Sequence, residues 1–511
     1  MKRYIFSIIL FLIFGVVFAQ DYKISNVTYN IEGITKIDYL NNEIYIDNQK
    51  IFNTKDEIES YILFIKQDLL NLRKFDSVEI LTTESIDSNT ELIHLDLVIN
   101  IKEKSHFILA PYASVLIPLT GLEIVPKLKF QDNNFLGRLN IFEAELKFTF
   151  SNNFKTYEPA FLLNYDLPFV FGDFKISWIN NHYLAYKFGQ NGNNSPNFDL
   201  ETGIALEKKI NNIITVNGKF VQKLIKDFNF TKYGDEAYAQ EFAEISVPIN
   251  LFKIQNHYYV TDEPYANYVY NWDYIDRNIY IINEKLVVPK LTFGNKIYFN
   301  NVNWNNNFRK GVSFVIDTSY SYNYALAQLS YGKAVSYGIN ANLKTFYSFE
   351  RVSLQTNILL YLYNNSTIKF DNLLRGVRDN QTYMVSSDYI CESDRLILIN
   401  FDLPIKLFLF DWSSFGLNKM TKFNFEVQVS PFIDIALTHN KITESNFNFC
   451  DGFYAAGLEF LVYPTNWPEL TVRANLGFDL GRTLLQSKIN TFWRDSRIPN
   501  WEFYLGFDLH Y

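Results

Sequence analysis

Leu470-Thr471-Val472-Arg473-Ala474-Asn475-Leu476-Gly477-Phe478-Asp479-Leu480 alternates without a break. Leu470, Val472, Ala474, Leu476, Phe478 and Leu480 fall on one side, and Thr471, Arg473, Asn475, Gly477 and Asp479 on the other. After a polar loop the pattern returns at the end of the chain. Trp501, Phe503, Leu505, Phe507, Leu509 and Tyr511 share one face, and Glu502, Tyr504, Gly506, Asp508 and His510 the opposite one. A period of two is the period of a strand. One apolar face, one face carrying charge and an aromatic final residue suit a transmembrane β-barrel with its apolar side outward. A large soluble β-sandwich also alternates, so charge has to decide between them.

The segment Phe142 to Phe150 supplies the test. Phe142, Ala144, Leu146, Phe148 and Phe150 alternate there with Glu143, Glu145, Lys147 and Thr149. Burying such charges against a second sheet is expensive. Turning them toward a watery lumen avoids that cost, whereas a Lys or Arg facing lipid at mid-membrane costs roughly 2–4 kcal/mol. The magnitudes favour the barrel. From Phe107 onward strand-like segments recur between polar runs such as Asn191 to Asn197 and Asn305-Asn306-Asn307. The expected fold is an all-β membrane protein, an antiparallel transmembrane barrel of about sixteen strands, with Phe242 to Asn307 ambiguous by two. Pro464 to Pro468 reads as a short turn and Asn364 to Asp394 as the longest well-bounded loop.

The start of the chain reads as a secretory signal. Lys2 and Arg3 precede an apolar run from Ile5 to Phe18, and Val17-Phe18-Ala19 offers a cleavage site before Gln20. That run is short for a helix crossing about 30 Å of hydrocarbon. With no other long apolar run, an exported chain is either soluble or a barrel, because only helices and closed barrels satisfy the backbone in lipid. Aromatic content, with 35 Tyr and 47 Phe, fits a barrel but decides nothing by itself. The net charge of -8 and the lack of a basic stripe argue against a nucleic-acid partner. Cys391 and Cys450 are the only cysteines, and no Cys-x-x-Cys motif suggests a metal or redox site.

Residues 20–105 read differently. Ile24 to Ile31 is a short strand, and Thr54-Lys55-Asp56-Glu57 is a capping box. Ile58, Tyr61, Ile62, Ile65, Leu69 and Leu72 keep a helical stripe behind it. Phe75 to Ile80 and the alternating Ile93 to Ile101 resume as strand, which makes a small α+β unit. Leu69-Leu70-Asn71-Leu72-Arg73-Lys74-Phe75-Asp76-Ser77-Val78, followed by Leu97 to Lys104, resembles the end of a polypeptide-transport-associated (POTRA) domain. A plain periplasmic plug or spacer is the alternative. The division expected is therefore a signal peptide over 1–19, one POTRA-like periplasmic α+β domain over 20–105, and a barrel over 106–511 with an inward-folding loop at 364–394.

Further segments match, in order, the outer-membrane insertases and translocators of the BamA/TamA type. Asp132-Asn133-Asn134-Phe135-Leu136-Gly137 resembles their turn near the barrel start, with Leu139 where a second Gly is usual. Leu374-Arg375-Gly376-Val377 resembles their Arg-Gly loop motif, with Val377 in place of the aromatic. Asn400-Phe401-Asp402-Leu403 and Phe432-Ile433-Asp434-Ile435-Ala436 resemble stretches of the strands that follow, with Pro404 in place of Arg and Ala436 in place of Gly. The end, Tyr504 to Tyr511, resembles the barrel-targeting β-signal.

The loop motif has a mechanical reading. A loop folded back into a lumen needs an anchor, and Arg offers a planar fork to carboxylates. By parity Asp402 and Asp434 both point inward, so either is a partner for Arg375, while Gly376 allows a tight turn or close approach. A solvated Arg375 is the bland alternative. Cys391 and Cys450 fall near the ends of successive outer loops, where the surface is oxidising. A disulfide joining the loops is expected there, with two separate thiols as the other reading.

The resemblance implies an outer-membrane assembly factor of a diderm bacterium, with its N-terminal domain in the periplasm. Such a protein inserts or translocates polypeptides by β-augmentation at a gate between the first and last strands. Pro111 removes a ladder donor near the middle of the first strand, and Gly506 weakens the last, where Leu509 and Tyr511 belong to the β-signal. Its partners would be unfolded outer-membrane or secreted polypeptides, the lipid bilayer and periplasmic accessory proteins. A two-partner-type secretion channel stays open as a second reading and a passive diffusion porin as a third. No Gly-x-Ser-x-Gly or His-Glu-x-x-His motif points to an enzyme, and neither a cofactor nor a metal is expected. Asp508 and His510 read as a structural polar pair.

Overall fold

The alternating segments become a ring of strands. The computed structural model describes residues 21–44, 46–86, 92–116, 123–151, 156–188, 195–226, 238–254, 258–273, 289–329, 333–370, 373–376, 384–385, 388–389, 392–440, 444–468, 470–483 and 501–507. It divides into two compact units. One is Met1–Lys104 with Leu136–Leu139, the other Ser105–Phe135 with Asn140–Tyr511.

In the N-terminal unit the strand Tyr22–Glu32 lies parallel to Ile93–Glu103, which pairs antiparallel with Phe75–Ile86 on its other side. The short Ile51–Phe52 pairs with Tyr22 and Lys23 at the start of the other edge of Tyr22–Glu32. The helix Lys55–Asn71 begins where Thr54 accepts from the Glu57 amide at 3.2 Å, and the Glu57 carboxylate accepts from Asn53 N at 3.2 Å. Two free helix-start donors are thereby satisfied, close to a capping box. Ile58, Tyr61, Ile65 and Leu69 lie buried on one helix face against Leu95, Leu97, Ile99 and Ile101 of the sheet.

The second unit is a closed antiparallel barrel. Among the described residues it has 18 strands, not the sixteen expected, when each interrupted strand is counted once. The interruptions explain the miscount. Tyr238–Ser246 and Ile249–Ile254 form one strand broken at Val247-Pro248, and its register shifts again between Asn250 and Phe252. Its partner Tyr258–Asp273 carries Pro264. Prolines and bulges erase the period-two signal locally, so the hairpins of this section cannot be counted from alternation. Arg395–Asp402 and Ile405–Phe410 are likewise one strand broken at Leu403-Pro404.

Side chains sort across the wall as the pleat requires. On the strand Val472–Asp479, Arg473, Asn475 and Asp479 are buried while Leu476 and Phe478 are exposed outside. Glu145 and Glu143 face inward, 3.5 Å from Lys127 and 3.2 Å from Lys129, while Leu146 and Phe148 are exposed. Among the described residues no helix is long and apolar enough to cross a membrane.

The ring closes between its first and last strands. Leu116 with Tyr504 and Val115 with Leu505 make the whole ladder between first and last strands among the described residues. On its other side the first strand, Phe107–Leu116, pairs along its full length with Glu123–Asp132. The last, Trp501–Phe507, likewise pairs along its full length with Val472–Asp479.

Candidate functional site in the barrel lumen

The loop between Ser353–Asn364 and Arg395–Asp402 turns inward and carries its own apolar anchor. A short ladder of Ile368–Lys369 with Glu392–Ser393 stiffens its base. Phe370 and Leu374 are fully buried beyond it, in a cluster with Leu396, Leu398, Phe453 and Ala455. The Phe370 and Phe453 rings meet edge-on at 5.2 Å between centroids. Leu396, Leu398, Phe453 and Ala455 stand where a water-filled lumen would carry polar residues. The wall is apolar there because the loop covers it.

Arg375 follows, with no exposed surface at all. Its Nε donates to Asp434 Oδ2 at 3.0 Å and one terminal nitrogen to Asp434 Oδ1 at 2.7 Å, a two-pronged grip. The other terminal nitrogen donates to Asp402 Oδ1 at 2.5 Å and lies 3.4 Å from Glu459 Oε2. Its backbone N–H adds a bond to Asp434 Oδ2 at 2.8 Å. The guanidinium plane sits 3.7 Å from the centroid of the Phe432 ring. A lone buried cation would cost several kcal/mol; here both its donor edges and its face are occupied. Arg473 extends the cluster, with Nε 3.3 Å from Glu459 Oε1. Three carboxylates thus share two guanidinium groups.

Asn400 ties wall to loop. Its amide donates to Asp434 Oδ1 at 2.9 Å and to the Leu373 carbonyl at 3.0 Å, and its oxygen accepts from Asn357 at 2.9 Å. Gly376, at φ +86°, presses its backbone onto the strand Val472–Asp479 at Gly477. This arrangement can hold residues 373–376 of the loop firmly against the inner wall. It offers no nucleophile beside a general base.

The sequence motifs therefore meet at one place: Arg375, Gly376, Asp402 and Asp434 form a single cluster. Phe432, Glu459 and Gly477 belong to it without a role read from sequence, and Asn400, which opens one of the matched stretches, belongs to it too. Glu459 and Phe432 were accessible to parity, being on inward rows. Gly477 stood in the inward row of the opening stretch, where a missing side chain leaves room for another backbone.

The remaining candidates lie elsewhere. Asp132 caps its own turn, accepting from Asn134 N at 3.0 Å and standing 2.8 Å from His106 Nδ1. Asn134 is buried in that turn. Gly137 has φ +72°, and a β-carbon there would come within 2.1 Å of the Ile34 carbonyl oxygen. Leu139, where the motif has its second glycine, keeps a left-handed φ of +58°. Pro111 is exposed on the first strand, opposite Leu128. A β-carbon on Gly506 would meet the Tyr504 hydroxyl. Leu509 and Tyr511, with Asp508 and His510, lie outside the described residues, as does Cys391. Cys450 is exposed with a free thiol.

No family model matches the chain, and no curated protein does. Among solved structures it is similar to CdiB from Acinetobacter baumannii, with 10% identity, a TM-score of 0.47, and coverage of 95% of this chain and 73% of that one. CdiB from Escherichia coli gives 10%, 0.46, 94% and 76%. BamA from Haemophilus ducreyi lacking POTRA domains 1-3 gives 12%, 0.36, 94% and 84%. Each of these scores lies below 0.5, and the barrel stands on its own strand pairing.

Proposed function

We propose that this chain is an outer-membrane protein that inserts or translocates polypeptides, with the seam between its first and last strands as the gate. The observation that carries the reading is the closing ladder, which among the described residues is Leu116 with Tyr504 and Val115 with Leu505, set against pairing along the full described length on the far side of each strand. A seam that opens exposes unpaired N–H and C=O groups, on which an incoming strand adds by β-augmentation. Backbone hydrogen bonds give that step affinity without sequence specificity, which suits a protein serving unfolded chains.

Other features agree. The outer faces of the strands carry Leu458, Phe460, Leu476, Phe478 and Trp501, all exposed as a lipid-facing wall requires. A loop gripped to the inner wall through Arg375 is a feature that a passive porin does not need, which weighs against that reading. The N-terminal sheet, with its parallel pair and covering helices, suits a POTRA-like periplasmic domain that greets the substrate, and the first residues suit a secretory signal. A secretion channel for one partner polypeptide is the nearer rival, and it requires the Arg375 loop to leave the lumen.

A cross-linked seam tests the gate. Leu116→Cys with Tyr504→Cys, in a chain with both native cysteines replaced by Ser, places two thiols on directly paired positions. Oxidation is expected to abolish assembly of outer-membrane barrels and reduction to restore it. Full activity of the oxidised form sinks the gate. Depletion followed by an outer-membrane inventory separates the rivals: broad loss of barrels marks an insertase, loss of one exported protein a secretor, and altered solute uptake alone a porin.

A further inference from the structure

The connection 411–424, joining Ile405–Phe410 to Phe425–Asn440, is folded yet apolar on its surface. Asp411 caps its first turn, accepting from Ser413 N at 2.9 Å, and Asn424 donates back to Asp411 at 2.9 Å. The Trp412 indole donates to the Phe423 carbonyl at 3.0 Å, and Gly416 closes the turn at φ +75°. Asn424 O also accepts from Thr465 N at 2.8 Å, and the Asn466 amide holds the Lys422 carbonyl at 2.9 Å, so the next turn braces this one. Despite that order Phe415 is 65% exposed, Phe423 52%, Leu417 44% and Met420 37%. A segment with so many hydrogen bonds does not leave four large apolar side chains in water for want of structure.

Direction settles what covers them. Glu426 and Gln428 are buried in the lumen, so Phe425 points outward by parity. Phe410 stacks on Phe425 at 5.0 Å, and Phe415 stacks on Phe410 at 5.3 Å. The connection therefore folds back over the outside of the barrel wall, where Phe408, paired with the outward Val427, is exposed immediately before it. Its apolar surface continues the lipid-facing band past the end of the strands. Lys419 and Lys422 stand exposed among these residues, and the one acid of the segment, Asp411, is engaged in its cap.

We propose that 411–424 is a membrane-surface site: Phe415, Leu417, Met420 and Phe423 enter the lipid interface, and Lys419 and Lys422 bind phospholipid phosphates. An amphipathic segment with aromatic and aliphatic residues on one side and Lys beside them has the composition of an interfacial anchor. The site rests on the reading of the barrel as an outer-membrane protein. It adds a lipid-binding rim beyond the strands themselves.

Depth-dependent quenching tests it in the full-length protein. A fluorescent label is placed at Phe415→Cys, at Phe460→Cys on the outer wall, or at Asn306→Cys in another turn, each with both native cysteines replaced by Ser. The protein is reconstituted in phosphatidylethanolamine vesicles with and without phosphatidylglycerol. Spin-labelled lipid is expected to quench position 415 about threefold more than position 306, with iodide showing the reverse. Lys419→Gln with Lys422→Gln is expected to reduce the quenching at 415 about twofold, and only where phosphatidylglycerol is present. Lipid quenching at 460 with iodide quenching at 415 overturns the proposal and leaves the barrel standing. Protection of 415 from both quenchers also overturns it, in favour of a protein cover. Lipid quenching at neither 415 nor 460 removes the membrane reading itself.

Discussion

Gly376 and Gly477 meet backbone to backbone. A β-carbon on Gly376 would come within 2.8 Å of the Gly477 carbonyl carbon, and one on Gly477 within 2.7 Å of the Gly376 amide nitrogen. The obstructing atoms are main chain on both sides, so neither partner can swing away. Gly477→Ala is expected to lift the loop tip from the wall. Gly376→Ala adds the strain of a left-handed φ, about 1–2 kcal/mol. Limited proteolysis of the loop in detergent checks both: cleavage within 365–394 should speed up at least severalfold in each variant and most in Gly376→Ala. Unchanged cleavage in Gly477→Ala would show that the tip does not depend on this contact.

Arg375→Ala leaves Asp402, Asp434 and Glu459 buried without the cation that bridges them, although Arg473 still reaches Glu459. Removing one partner of a buried ion pair costs about 3–5 kcal/mol, because the other charge stays behind unpaired. A lower thermal midpoint and impaired assembly are expected. Arg375→Lys should fail nearly as badly, since an ammonium cannot span both oxygens of Asp434 while also reaching Asp402. Adding Asp434→Asn to Arg375→Ala should recover part of the loss by removing the stranded charge. A double variant no more stable than the single one would place the energy in the Phe432 stack and the loop packing instead.

The anchor was legible because the resemblance marked Arg375, Gly376, Asp402 and Asp434, and strand parity then turned the two carboxylates inward. Asp402 and Asp434 lie on inward rows, and the Arg-Gly pair of the resembling loop motif is their complement. Glu459 was equally inward but had no motif around it. Gly477 carried its signal as an absence. The seam could be located from the ends of the barrel, but which residues pair across it depends on register, and register across first and last strands leaves no local trace. The strand number failed where Pro248, Pro264 and a bulge near Asn250 interrupt the alternation. In the turn after Asp132 the Gly at 137 was readable as a turn residue. That Leu136 and Leu139 share its left-handed conformation was not, since Leu gives no cue for it.

That turn yields a stabilising substitution. Leu136 has φ +57° and is 51% exposed, so it bears the strain of a left-handed residue and gains little from packing. Leu136→Gly is expected to raise stability by about 1 kcal/mol, read as a rise in the thermal unfolding midpoint in detergent. Leu139→Gly should not match it, because Leu139 is 9% exposed and belongs to the apolar core of the N-terminal unit. Equal effects of the two substitutions would mean that packing of Leu139 contributes nothing.

Asp68 makes the N-terminal unit sensitive to pH. It lies in the last turn of the helix Lys55–Asn71, which has no basic residue there, and burial pushes its carboxyl up from the usual aspartate range to about 6. A folded-state pKa raised above the unfolded one means that the protonated form favours the fold. That contribution is complete below the unfolded pKa of about 4 and is lost as pH rises through about 6. The carboxylate therefore weakens the helix at pH 8 relative to pH 5. A rise of that size corresponds to about 3 kcal/mol, and partial access to solvent reduces this to about 1–2 kcal/mol. Hydrogen exchange over residues 55–71, corrected for the intrinsic rate at each pH, should show protection falling across that window in the wild type. Asp68→Asn should hold the same helix at its acid-side protection up to pH 8. If the variant keeps the wild-type pH profile, another titrating group of this unit is responsible.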